Sequence, residues 1–183
     1  MLPSQNYMSK KFVIHLIGPS CVGKSAVEKV LQKKIKGVYS ISFDKQKWLL
    51  SGYNRDTDRP AVKKICLGLM ETVCRLGMPV FLNMPLTTEE KYNRFKKIAH
   101  RYGYAFFSFK LTAPKKVLLE RFRKRMESFK KSGDRMSVTN EEMHRANFAK
   151  RFFIPKGADS YNTAAQTPEA IAEKIMAKLA TAL

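Results

Sequence analysis

Phe12-Val13-Ile14-His15-Leu16-Ile17, followed by Gly18-Pro19-Ser20-Cys21-Val22-Gly23-Lys24-Ser25, is the stretch that decides how this chain is read. The first six residues, bounded by lysines and a glycine, suit a strand buried on both faces of a parallel sheet. The octapeptide after them has the spacing GxxxxGK[ST], which arises by chance in a chain this long on the order of once in 100, from average residue frequencies. From Lys24 to Ile35 the apolar positions Val27, Val30, Leu31 and Ile35 recur at helical spacing, and Gly37 stops the segment. Strand, glycine-rich loop and helix is the context in which this spacing forms a phosphate cradle.

The glycines let the backbone fold tightly enough that several N–H groups face inward at a positive helix N-terminus. Gly18, Ser20, Cys21, Val22, Gly23, Lys24 and Ser25 are therefore the expected contacts of a nucleoside triphosphate. Lys24 neutralises the β and γ phosphates, and Ser25 offers its hydroxyl to Mg²⁺. Cys21 sits where the loop meets the helix dipole, which would make it a thiol whose alkylation blocks the nucleotide, although a small loop filler is the better reading.

Working outward, 38–43 reads as a second strand ending at Asp44, and 45–50 as a short helical piece closed by Gly52. Asp58 resembles an N-cap, with Pro60 in the first turn of a helix carrying Val62, Ile65, Leu69, Val73 and Leu76. A third strand follows at 79–82. Thr87 or Thr88 caps a helix with Tyr92, Phe95, Ile98 and Ala99 on its buried face. The run 104–111 is a fourth strand, and Pro114 starts a helix through Val117, Leu118, Leu119 and Phe122. From Ser128 to Thr139 the apolar periodicity disappears and a mobile loop is expected. A helix with Met143, Ala146, Phe148 and Phe152, a weak strand near 160–162, and a last helix opened by Thr167 complete the pattern. Strands alternating with helices imply an α/β, three-layer architecture with a mostly parallel sheet of about five strands, binding ligands at the carboxyl ends of the strands.

Length and 44% hydrophobic content fit a single domain spanning 1–183. No apolar run reaches membrane-spanning length, and 1–11 lacks the apolar stretch of a signal peptide, so a cytoplasmic protein with no membrane partner is expected. Three cysteines without metal spacing argue for reduced thiols, with Cys66 and Cys74 in the core. The net charge of +20 attracts polyanions, and 110–156 is densest, with 14 basic against 5 acidic residues. Solvated helix surfaces, a polyanionic partner such as nucleic acid, and phosphate-clamping arginines all account for such a field. Phe106, Phe107 and Phe109 lie on an expected core strand and do not count as stacking platforms.

Neither NKxD nor DxxG occurs, which argues against a GTPase, whereas length and a basic lid near 125–150 suit a kinase. Beyond the loop, three stretches carry a resemblance to small P-loop kinases of the polynucleotide-kinase-like and zeta-toxin-like group, related to adenylate kinase. These are Ser42-Phe43-Asp44-Lys45-Gln46-Lys47, Leu119-Glu120-Arg121-Phe122-Arg123-Lys124-Arg125, and Ala158-Asp159-Ser160-Tyr161-Asn162-Thr163 with Thr167-Pro168-Glu169-Ala170-Ile171. The resemblance implies a P-loop NTPase fold with a helical lid. It also implies an ATP- and Mg²⁺-dependent transfer of the γ-phosphate to a hydroxyl acceptor, such as a nucleotide or a polynucleotide 5′-hydroxyl. Asp44 would be general base on the acceptor, or alternatively a helix N-cap. Lys47 would touch the acceptor, standing where the family has Arg; it keeps the charge but loses the bidentate fork on an acceptor phosphate. Arg121 and Arg125 share a helix face and would clamp ATP phosphates, Arg125 also serving as a nucleotide contact; a solvated basic stripe is the plainer reading. Arg135 is a third candidate, and the loop after Asn162 would lie near the adenine. Arg55 and Arg59 would grip the acceptor, or simply decorate a charged loop. Where the family has an acidic residue at the end of the third strand this chain has Asn83, an amide that holds magnesium poorly. The alternatives are therefore a nucleoside monophosphate or small-molecule kinase, and a catalytically weak, nucleotide-dependent nucleic-acid-binding protein. The oligomeric state is not legible in the sequence.

Overall fold

The computed structural model describes residues 10–132, 138, 140–148 and 151–183. Its chain order is β1 (Phe12–Ile17), α1 (Lys24–Lys34), β2 (Tyr39–Ser42), α2 (Phe43–Leu49), α3 (Arg59–Arg75), β3 (Val80–Asn83), α4 (Glu89–Arg101), β4 (Ala105–Thr112), α5 (Lys115–Ser132), α6 (Glu141–Phe148), β5 (Asp159–Asn162) and α7 (Pro168–Ala182). All strand pairs are parallel, in the order β2-β3-β1-β4-β5. β1 is thus the central strand and every residue of it is buried, as a strand covered on both faces requires. The loop after β1 opens where the chain leaves toward β2 on one side, with β4 on the other, the switch point at which open α/β sheets bind ligands.

Alternation along β1 separates two cores. Phe12, Ile14 and Leu16 pack with Leu31 of α1, Leu118 of α5 and Ile171, Ile175 and Leu179 of α7. Val13 faces the opposite layer, where Val62, Met70 and Val73 of α3 meet Tyr92, Phe95 and Ala99 of α4. His15 is the buried polar exception on that face, with a nitrogen 3.3 Å from the Met84 carbonyl. Burial pushes it down to about 4, against the bond to Met84 and helped by the charge of Lys24.

Several local expectations shift. β2 ends at Ser42, whose hydroxyl caps α2 by accepting from the Lys45 amide at 3.5 Å, so Asp44 lies in the first helical turn rather than at a strand end or at the cap. Asp58 precedes α3 without a side-chain cap bond, because its carboxylate accepts from the Asn54 amide at 2.7 Å and the Thr57 hydroxyl at 3.1 Å. Of the two threonines, Thr88 caps α4. On α3 the buried stripe is Val62, Cys66, Met70, Val73 and Cys74, leaving Ile65 and Leu76 exposed. α5 runs on to Ser132, past the loop start expected at Ser128. Arg135 falls outside the described residues, as do 133–137, 139 and 149–150 of the expected lid. Among the described residues no helix is long and apolar enough to cross a membrane.

Candidate active site

The loop 18–23 is built from backbone that ordinary residues resist. Gly18 and Gly23 have φ of 154° and 103°, and between them Cys21 holds φ 61°, an αL value uncommon for a residue with a Cβ. Gly18 admits no side chain: a Cβ there would lie 2.7 Å from the Leu111 carbonyl oxygen and 2.9 Å from Val22. This close approach presses the loop onto the end of β4.

Lys24 opens α1 and folds back over the loop, its Nζ donating to the Gly18 and Pro19 carbonyls at 2.8 Å each. Burial lowers its ammonium to about 8, and the charge of Arg125 acts in the same direction; Asp44 and Cys21 oppose it. Those influences locate the neighbours: a carboxylate from α2 and a guanidinium from α5 both lie within electrostatic reach of the loop lysine. Ser25 follows on the exposed start of α1, and Ser20 Oγ lies 3.8 Å from Cys21 Sγ.

Asp44 is exposed but not loose, since Lys47 one turn on holds it at 2.7 Å. Lys47 itself is enclosed, 5% exposed, with its ammonium 4.6 Å from the centre of the Trp48 ring and near Phe43 and Tyr53. The lysine expected to touch an acceptor is thus occupied in fixing the carboxylate. Asn83 closes β3 in register with Ser42, the residue two before Asp44, so it lies at the same carboxyl edge of the sheet.

The two lid arginines part company. Arg121 is bound to the Thr163 carbonyl at 2.6 Å, the Thr163 hydroxyl at 2.9 Å and the Val22 carbonyl at 3.5 Å. With Gly23, Ala26, Thr163, Gln166 and Pro168 it lines a hollow of about 280 Å³ beside the loop. Arg125, one turn on, is exposed and is the arginine felt by Lys24. Arg55 is exposed on the 50–58 connection, whereas Arg59 is half-buried at the start of α3. Arg59 shares a face of α3 with Lys63, four positions on, and Lys63 feels the charges of both Arg59 and Lys91; no sequence motif singles out either lysine. A second hollow of about 440 Å³ lies against Gly18 and Pro19, with Lys110, Lys115 and Arg151 on its wall.

The loop suits a nucleoside triphosphate: positive-φ glycines at the N-terminus of a helix, and a lysine whose ammonium donates to carbonyls rather than pairing with a carboxylate. Among the described residues no group of three or more His, Cys, Asp or Glu could hold a metal ion. Ser25 is the side chain that would hold Mg²⁺, together with phosphate oxygens and water, an oxygen donor set that suits this ion.

The family model for the AAA domain matches residues 13–151. The chain belongs to the AAA-domain family. That match begins in β1 and runs past α6, so it contains the loop, Asp44, Asn83 and both lid arginines of this AAA-domain protein. No curated protein matches the sequence. Solved structures share the fold at low identity. A Chloroflexus aurantiacus protein assigned as a kinase aligns at TM-score 0.71 and 15% identity, over 96% of this chain and 100% of that one. The Mycobacterium tuberculosis APS kinase CysC, in complex with AMPPNP and APS, aligns at 0.65 and 17%, over 93% and 98%. A Sinorhizobium meliloti gluconokinase aligns at 0.61 and 20%, over 93% of each.

Proposed function

We propose that this AAA-domain protein is an ATP- and Mg²⁺-dependent phosphotransferase that moves the γ-phosphate to a hydroxyl of a small acceptor. The observation that carries the reading is the loop itself, Gly18, Cys21 and Gly23 at positive φ with the Lys24 ammonium folded onto the Gly18 and Pro19 carbonyls, and with the charges of Asp44 and Arg125 both felt there. Phosphoryl transfer needs a cation at the bridging phosphates, a carboxylate at the attacking hydroxyl and a mobile cation on the developing charge. ATP supplies the transferable phosphoryl group, and Mg²⁺ neutralises its charge.

Lys24, already dehydrated by the loop, exchanges two carbonyls for phosphate oxygens. Asp44 accepts the proton of the attacking hydroxyl, and Lys47 keeps its carboxylate from rotating away. Arg125 reaches the transferred group from α5, while Arg121 and Thr163 form the wall against which the base rests. Asn83, an amide, accepts no proton, which leaves Asp44 as the carboxylate that would serve as base. The neighbours named as kinases of APS and gluconate favour a small acceptor over a polynucleotide end, though the latter remains a hydroxyl of the same class.

Incubation with γ-labelled ATP, magnesium and a panel of sugars, nucleosides, nucleoside monophosphates and 5′-hydroxyl oligonucleotides tests this. Label should move to at least one acceptor. ATP that binds but labels nothing would favour a nucleotide-dependent binding protein.

A further inference from the structure

We propose that the acceptor carries a phosphomonoester remote from the reacting hydroxyl, and that Arg59, Lys63 and Lys91 bind it. This rests on the phosphotransferase reading above and names the class of its acceptor.

Arg59 is the first residue of α3 and Lys63 lies four positions later, so the two share a helix face. Lys91 is in the first turn of α4, the helix that packs beside α3. Both helices run back along a parallel sheet, so both begin at the carboxyl edge of the strands, where the loop and Asp44 also lie. Two helix N-termini therefore add their positive ends to three cations.

The cluster lacks its counter-charge. Among the described residues no carboxylate comes within ion-pair distance of Arg59, Lys63 or Lys91. Asp58, adjacent to Arg59, is turned into the 54–57 loop, and Glu90 is held by Arg94 at 2.6 Å. Glu89 is exposed in the same turn as Lys91. Among the described residues the Lys91 ammonium donates to the Thr87 hydroxyl, at 3.2 Å. Arg59 Nε is buried with no hydrogen-bond partner, and buried guanidinium nitrogens are normally satisfied. Burial and the charges of Arg59 and Lys91 together hold the Lys63 ammonium below its ordinary range. Most lysines of a chain at +20 avoid such crowding by standing in water.

The shortfall fixes the class of ligand. A carboxylate would leave two of three crowded cations uncompensated, whereas a phosphomonoester brings about −1.5 to −2 charges and three acceptor oxygens. Its oxygens match the fork of Arg59 and the point charges of two lysines.

The test uses the whole protein with the loop blocked by Mg²⁺ and a non-hydrolysable ATP analogue, so that phosphate cannot enter the nucleotide site. Calorimetric titration compares ribose 5-phosphate with ribose, and glycerol 3-phosphate with glycerol. The phosphorylated member of a pair should bind at least tenfold tighter. Lys63→Gln and Lys91→Gln should each remove about tenfold of that gain, the scale of a charged hydrogen bond. Lys64→Gln, on the exposed side of α3, should leave it unchanged, and thermal unfolding checks that each variant is folded. Equal binding of both members of each pair, or equal losses in all three variants, would overturn the site. Transfer assays on the same compounds separate the two claims. Phosphate-dependent binding without any labelled product would fail the phosphotransferase reading and leave the site standing. Labelling of neutral acceptors as efficiently as phosphorylated ones would do the reverse.

Discussion

Raising the pH from 7 to 9 should weaken nucleotide binding through Lys24 alone. In the free protein burial has moved its ammonium from 10.5 to about 8, with Arg125 adding to the shift and Asp44 and Cys21 opposing it. Bound phosphates favour the charged form and return it above the working range. The group is then about one-tenth deprotonated before binding at pH 7, about half at pH 8 and about nine-tenths at pH 9. Because only the ammonium binds well, affinity should fall about tenfold between pH 7 and 9, or about 1.4 kcal/mol. The nucleotide contributes little over this window, since the last phosphate proton dissociates near pH 6. Calorimetry in two buffers of different ionisation enthalpy should report about half a proton taken up per nucleotide at pH 8. Asp44→Asn removes the largest influence that supports the ammonium, so the midpoint should move to lower pH. Affinity that is flat from pH 7 to 9, with no buffer-dependent heat, would refute the account of Lys24.

Gly18→Ala places a Cβ 2.7 Å from the Leu111 carbonyl oxygen at a φ of +154°, and should abolish nucleotide binding while leaving the helical circular dichroism in place. Arg121→Ala should weaken ATP affinity about tenfold with little change in the rate at saturation, since charged hydrogen bonds are worth about 1.5–3 kcal/mol. A fall in saturated rate alone would move Arg121 to the phosphate side. Phe81→Ala, in the centre of the sheet at 1% exposure, should destabilise by about 3–5 kcal/mol in urea unfolding; a loss below 1 kcal/mol would contradict its place in the core.

What could be read in advance follows from how local each signal is. β1, the loop and α1 come within a residue of their expected bounds because a doubly buried strand and two positive-φ glycines are written contiguously. α3 was legible as a helix but not in phase: Ile65, Leu69 and Leu76 compete with Cys66 and Met70 for the buried stripe, and only packing against α4 chooses between them. α5 outlasts its apolar face because lysines and arginines are good helix formers without one. Within the site, the residues of the loop follow from one motif, whereas Arg121 owes its position to Thr163, 42 residues away. Lys47 was expected to meet the acceptor by analogy of charge; its aromatic enclosure is a product of the turn from Trp48 to Tyr53. Lys63 and Lys91 carry no motif at all: helical spacing puts Lys63 on the face of Arg59, and only the contact of α4 with α3 brings Lys91 to that end.

The central claim is that Asp44 activates a hydroxyl for attack on a nucleotide held by Lys24. The most direct measurement is the ratio of acceptor phosphorylation to ATP hydrolysis, in wild type and in Asp44→Asn, at saturating Mg²⁺–ATP. Transfer should dominate in the wild type and fall by about 10²–10⁴ in the variant, the usual worth of a general base, with ATP still bound. Equal transfer by the two proteins would contradict it.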